Sequence, residues 1–238
     1  MADTITIVGD PWCPYNCTSQ KNPGFLVKLA KTIFEKSGHT IEYSVVPWKR
    51  AKLGIVSGFY DGIIGMAKNE DTEKLYVFPT LEMAESQFCF YVAKDSQWKY
   101  IGMPSLKNER LGVINGYGYG AEGTPIANYL KNNIDTTQVQ TVSGDQPLTQ
   151  LIKMILLGRL SVIIEDSMVM EYTLAQMAYQ SRLKKVGCLE NVDKVHIAFS
   201  AKNPRSDRYA EILSNGIKEL KNTGEYGRIV DSCMVPMD

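Results

Sequence analysis

Apolar residues follow two rhythms along the chain. Residues 4–8 (Thr-Ile-Thr-Ile-Val) alternate and are β-branched, which predicts a first strand. Leu26, Leu29, Ala30, Ile33 and Phe34 then fall at i, i+3, i+4, i+7 and i+8, the stripe of an amphipathic helix, and Gly38 is placed to cap its end. Residues 41–46 again read as a strand. Pro47 suits the first turn of a helix, where its missing N–H has no partner to lose. Leu53 and Val56 recur at helical spacing, with Phe59 a further candidate. Gly58 ends the run, Asp61-Gly62 is turn chemistry, and Ile63-Ile64 reads as a buried parallel strand. Strand, helix and strand in this order imply a parallel sheet with a right-handed crossover.

The alternation continues downstream. Strands are predicted at residues 87–93, 111–114, 139–142, 160–164 and 195–200. Helices are predicted at 125–131, 147–157, 168–179 and 205–221. In the second of these Leu148, Leu151, Ile152 and Ile155 share one face and Gly158 ends it; in the last, Ile212, Ile217 and Leu220 face inward. The chain is therefore read as α/β. The long β-rich stretches near 88–93 and 194–200 each adjoin a β-α pattern, so they are read as two crossing strands between two lobes. Lobe one is 1–92 plus 198–238, and lobe two is 93–197.

Charge and composition narrow the classes. The 238 residues carry 26 Lys+Arg and 26 Asp+Glu, a formal net charge of zero, and no basic run is long enough to track a phosphate backbone. Nucleic acid is not expected as a partner. The apolar runs fall short of the ~20 residues that a membrane helix needs. Residues 1–3 lead straight into a strand, as in a cytosolic protein or in an exported protein whose leader has been replaced by a start Met.

Cysteine placement favours export. Cys13 and Cys17 flank Pro14-Tyr15-Asn16, a tight turn, and C-x3-C is not the usual spacing of zinc or thioredoxin motifs. A local disulfide is expected, with two buried thiols as the alternative. Cys188 and Cys233 are candidates for a second bridge. Cys89, inside Phe-Cys-Phe-Tyr-Val, reads as a buried, inert strand residue.

Two loops stand out as candidate binding elements. Residues 9–17 leave the C-terminal end of the first strand, where open α/β sheets bind ligands, and are rich in Trp, Tyr, Pro and Cys. Trp12 and Tyr15 either line a site or pack against a neighbouring helix. Residues 115–120 (Asn-Gly-Tyr-Gly-Tyr-Gly) join a strand to a helix. Their glycines alternate rather than follow G-x-G-x-x-G, so no dinucleotide or other cofactor is expected. Their backbone N–H groups can still face an anion, and Tyr117 and Tyr119 add flat apolar surface with a hydroxyl tip; a tight turn with surface tyrosines is the alternative. The chain shows no G-x-S-x-G, no H-E-x-x-H, no paired His and no credible carboxylate pair, so a binder is expected rather than an enzyme, without a metal.

Residues 47–51 (Pro-Trp-Lys-Arg-Ala), followed by Gly58-Phe-Tyr-Asp-Gly-Ile-Ile-Gly65, resemble the first lobe of the family 3 extracellular solute-binding proteins, the amino-acid-type periplasmic binding proteins of bacterial uptake systems. Residues 105–114 resemble that family's entry into its second lobe, 195–200 its return crossing, and 224–230 its closing helix. The resemblance implies a two-lobed periplasmic-binding-protein-like fold (type II) with two hinge strands. It also implies a small polar, amine-bearing ligand held between the lobes, a membrane permease of an ABC transporter as partner, a periplasmic location and a monomer. The ligand residues it points to are Asp10, Trp12, Tyr15, Trp48, Arg50, Gly65, Lys68, Tyr117, Tyr119 and Asp166.

Asp166 ends the 160–166 segment, where the family places an Asp that accepts the ligand ammonium; a helix N-cap is its other role, for which Ser167 competes. Glu165 is expected to face solvent. Arg50 is either an anchor or a structural residue on its helix. The family usually sets an Arg six residues before Phe78 to pair with an α-carboxylate. Here that residue is Thr72, so a ligand carboxylate would fall to Arg50, Lys68 or the amides of residues 116–120. A ligand-sensing ectodomain of a membrane kinase or cyclase is the alternative function, and an enzyme on the same scaffold a more distant one.

Overall fold

The protein is described here from a computed structural model covering residues 2–134 and 136–234. It divides into two compact units. One runs to Glu85 and resumes at Lys194; the other is Ser86–Asp193, so the chain passes between them twice. These changeovers lie earlier in the chain than the lobe boundaries read from the sequence, because the strand at 88–93 hydrogen-bonds into the second sheet while residues 195–199 pair in the first.

The first unit contains β1 (Thr4–Gly9), α1 (Phe25–Lys36), β2 (Thr40–Val45), α2 (Trp48–Ser57), β3 (Gly62–Ala67), the short α3 (Glu70–Glu73), β4 (Tyr76–Val77) and β5 (Ala84–Ser86). Parallel β2 and β3 flank β1, so the predicted strand-helix-strand unit closes around a central strand. Helix α1 buries Leu26, Leu29, Ala30, Ile33 and Phe34, the stripe that its spacing requires, each large side chain contributing about 1.5–3 kcal/mol. Gly38 takes a φ of 79° after its end, and its N–H donates to Glu35 O.

Helix α2 buries a different face from the one that carries Leu53 and Val56. Ala51 and Ile55 are its buried residues, while Leu53 is 68% exposed, Val56 43%, and Phe59, just beyond the helix, 75%. Both sets have helical spacing. The inward pair packs against the sheet beside Val8 and Ile63.

The second unit contains β6 (Phe88–Ala93), a 3-10 turn at Met103–Leu106, β7 (Leu111–Ile114), α4 (Pro125–Asn133), β8 (Val139–Val142), α5 (Pro147–Leu156), β9 (Val162–Asp166), α6 (Ser167–Gln176) and β10 (Leu183–Cys188). Its sheet runs β10-β6-β9-β7-β8, with β7 parallel to both neighbours and β6 antiparallel to both of its own. Residues Leu148, Leu151, Ile152 and Ile155 of α5 are buried as the spacing predicts.

The chain then returns through β11 (Asp193–Ser200) to α7 (Ser206–Asn222) and α8 (Glu225–Met234). The first sheet reads β2-β1-β3-β11-β4, with β5 paired to β11. Phe199 and Tyr209 meet Phe34 edge-on, with ring centroids 6.3 and 6.0 Å away, and so join β11 and α7 to α1. His196 is an ordinary strand residue of β11. It is 1% exposed, with Nδ1 3.0 Å from Lys194 O, and burial pushes its pKa down to about 4.

Candidate functional site

In the first unit the loop after β1 is built as a closed knot. Trp12 and Asn16 exchange both backbone hydrogen bonds, at 2.8 and 3.1 Å, and the Sγ atoms of Cys13 and Cys17 stand 2.22 Å apart, at disulfide distance. The start of α1 lies directly on it: Phe25 N–H donates to Pro14 O and Leu26 N–H to Tyr15 O. Gly24 makes this possible. Its φ is 94°, and a Cβ there would lie 2.4 Å from Tyr15 O.

Tyr15 is 1% exposed. It stacks on Trp12 at 4.1 Å, tilts against Phe25, and donates its hydroxyl proton to Glu85 O. Tyr15 is thus a core side chain that shapes the loop, in line with the packing alternative weighed for it, and Trp12 is only 8% exposed.

Spacing gave no signal for Asn16 and Tyr43. Asn16 is 1% exposed; its amide donates to Asp10 O and lies 3.4 Å from the Tyr43 hydroxyl. Its Oδ1 is buried without a hydrogen-bond donor among the described residues. The neighbouring Gly65 has φ 85°, and a Cβ built there would lie 3.6 Å from that oxygen and 3.7 Å from the Trp12 ring. A loop amide buried by the fold around it has no sequence signature; the glycine opposite it does. Burial pushes the Tyr43 pKa up to about 12, with Asp10 adding to the rise.

The other first-unit candidates lie on α2 and just after β3. Trp48 is half-buried, with Lys52 Nζ 5.9 Å from its ring centroid. Arg50 is exposed. Lys68 pairs with Glu73 at 3.1 Å and sits 6.0 Å over the Phe78 ring. Thr72, standing where the family usually has its Arg, is committed to a capping box on α3: Asn69 Oδ1 accepts from the Asp71 and Thr72 N–H groups, and Thr72 Oγ1 accepts from Asn69 N–H.

In the second unit β7 feeds the glycine-rich loop, with Gly116 at φ 82°. Tyr117 is half-buried and close to Tyr119, their centroids 6.2 Å apart. Tyr119 is 3% exposed, packs edge-on to Phe88 at 5.0 Å, and accepts a hydrogen bond from Ile114 N–H. It is a core residue rather than a surface platform.

Asp166 is the N-cap of α6. Oδ1 accepts from Met168 and Val169 N–H, and Oδ2 from Ser86 Oγ and Gln87 N–H, at 2.8 to 3.1 Å. Burial raises its pKa despite these donors. The cap, one of its two expected roles, is in place. Glu165, expected at the surface, is instead 0% exposed, and its Oε1 accepts from Asp166 N–H. It lies within β9 opposite Cys89, where the strand order surrounds it.

The cysteine pairing is also corrected. Cys89 and Cys188 are bonded across β6 and β10, with sulfurs 2.09 Å apart, and Cys233 is the buried free thiol. Among the described residues no group of His, Cys, Asp and Glu is arranged to hold a metal ion, and no helix is long and apolar enough to cross a membrane.

Two mixed α/β sheets with helices, in a chain that passes between them twice, define a periplasmic-binding-protein-like fold. The chain belongs to the bacterial extracellular solute-binding proteins, family 3, whose model matches residues 5–234. Solved structures agree on the fold. A histidine kinase sensor domain with similarity to periplasmic binding proteins superposes with a TM-score of 0.78 at 17% identity, covering 96% of this chain and 95% of that one. An ancestral arginine-binding protein bound to arginine gives 0.77 at 20%, covering 96% and 97%. The substrate-binding protein of an amino acid ABC transporter gives 0.74 at 21%, covering 96% and 98%. A search of curated protein sequences found no match.

Proposed function

We propose that this protein captures a small polar, amine-bearing, amino-acid-like ligand in the periplasm and delivers it, as a monomer, to the membrane permease of an ABC transporter. It acts as a binder and not as an enzyme. The family match over residues 5–234 carries the reading. The chemistry of the ligand is argued from the loop after β1. Asn16 Oδ1 is a buried acceptor without a donor among the described residues, beside a glycine whose missing side chain leaves room for a ligand group. An ammonium group would supply that donor. Asp10, on the same loop, would supply the negative charge in place of Asp166, whose oxygens already accept from the α6 cap and from Ser86 and Gln87. Arg50 and Lys68 are the cations for a ligand carboxylate, and Trp48 an aromatic wall.

A thermal-shift screen over amino acids, amines, small peptides and organic acids tests this. A ligand at about 100 times its dissociation constant should add ~2.7 kcal/mol of stability. Asp10→Asn should then weaken binding of the hit at least tenfold. If nucleotides or lipids shift the melting temperature and no polar metabolite does, the reading is wrong.

The ligand-sensing ectodomain of a membrane receptor is the second reading, supported by the likeness to a histidine kinase sensor domain. The neighbouring genes separate the two: a permease and an ATPase for transport, a kinase or cyclase for sensing.

A further inference from the structure

The second unit has an open pocket of about 470 Å³ that, of the candidate ligand residues above, Tyr119 alone borders. Phe88 at the start of β6, Tyr100 and Met103 at the 3-10 turn, and Leu189 after β10 form its apolar walls. The aromatic walls are held in place: Tyr100 stacks on Phe90 at 4.1 Å and donates its hydroxyl proton to Met103 Sδ at 3.5 Å, while Phe88 is pinned edge-on to Tyr119. The charged groups at the rim are of one sign. Glu190 and Asp193 both line the cavity, and no Lys, Arg or His does. Neither carboxylate makes a hydrogen bond or an ion pair with a described residue. Asp193 is half-buried, and burial raises its pKa with no neighbouring cation to offset it. The N-terminus of α4 also borders the space, but Thr124 Oγ1 already caps it, accepting from Ala127 N–H.

We propose that this cavity is a second binding site, selective for an organic cation: an amine or quaternary ammonium carrying a flat apolar body. A volume of several hundred Å³ with apolar walls and few polar groups suits a small molecule. Fixed aromatic rings and two unpaired carboxylates favour a positive charge over the same body without one. A zwitterionic amino acid fits poorly, because its carboxylate would meet Glu190 and Asp193 and find no cationic side chain. The site is therefore independent of the reading given above for the first unit.

The test uses three probes of one shape: phenethylammonium, 2-phenylethanol and phenylacetate. They are titrated into the whole protein carrying 13C-methyl methionine. The Met103 methyl resonance should move saturably with phenethylammonium, at least tenfold more weakly with the alcohol, and not at all with phenylacetate. The double variant Glu190→Gln/Asp193→Asn should lose at least tenfold in phenethylammonium affinity. A still Met103 methyl, an equal response to all three probes, or a response confined to Met66 of β3 overturns the proposal. The three-probe comparison needs only the wild-type chain, so it decides even if the double variant fails to fold. A failure here leaves the amino-acid screen untouched, since that is read at Asp10.

Discussion

Cys89 and Cys188 face each other across β6 and β10, with Cα atoms 3.8 Å apart and a separation of 99 residues in the chain. Closing a loop of that length removes about 4–5 kcal/mol of denatured-chain entropy in the loop-entropy account, against less than ~3 kcal/mol for the short Cys13–Cys17 loop. The long-range bridge should therefore dominate redox-dependent stability. Denatured, unreduced protein should show one reactive thiol, Cys233, and reduced protein all five cysteines of the sequence. The double replacement Cys89→Ser/Cys188→Ser should lower the urea midpoint more than Cys13→Ser/Cys17→Ser. Equal losses would count against the pairing.

Asp166 accepts from Met168 and Val169 N–H in the first turn of α6 and from Ser86 Oγ and Gln87 N–H on the segment entering β6. Asp166→Ala removes the cap and leaves the buried Ser86 hydroxyl without its acceptor. A loss of about 2–4 kcal/mol in chemical denaturation is expected. Asp166→Asn keeps one oxygen and should lose less. An alanine variant within about 0.5 kcal/mol of wild type would contradict the capping role.

His196 sets a pH window. Its folded pKa is pushed down to about 4, while an unfolded histidine titrates near 6.5. The unfolded chain therefore binds the proton first. The contribution is complete above pH 6.5 and is lost as pH falls towards 4, amounting to up to about 3 kcal/mol. His196→Phe should flatten stability across that range. If the variant and wild type lose stability in parallel between pH 6.5 and 4, other groups are responsible.

Gly65 faces Asn16 and Trp12 in a left-handed conformation. Gly65→Leu should cost about 1–2 kcal/mol in backbone strain and cover Asn16 Oδ1. Ligand affinity for the hit of the metabolite screen should fall by more than tenfold, a larger effect than the loss in stability. Calorimetric titration of the two proteins reads this directly.

Gly24 holds the loop after β1 against α1. Gly24→Ala places a Cβ on the Tyr15 carbonyl at a φ of 94°. Backbone atoms cannot move aside as a side-chain end can. A loss above about 2 kcal/mol is expected, with retained α/β circular dichroism at low temperature.

Local patterns were enough to read much of this protein. The stripe of α1, the face of α5 and the alternation of β1 are set by residues within a few positions of one another, so their spacing alone specifies element and inward face. The C-x3-C pair is equally local. Motif order along the chain was sufficient to name the family. Tertiary structure decided the rest. The face that α2 buries depends on the sheet beneath it, because Ala51/Ile55 and Leu53/Val56 fit a helix equally well. Cys89 finds Cys188 only once β10 pairs antiparallel with β6, and the same strand order puts Glu165 inside. Asp166 had two roles open to it by sequence. The cap is made locally, to Met168 and Val169, and folding adds Ser86 and Gln87, some 80 residues away, at its second oxygen. Hydrogen bonding and burial are satisfied by whatever the fold brings near, and contacts between distant segments leave no period in the sequence to read.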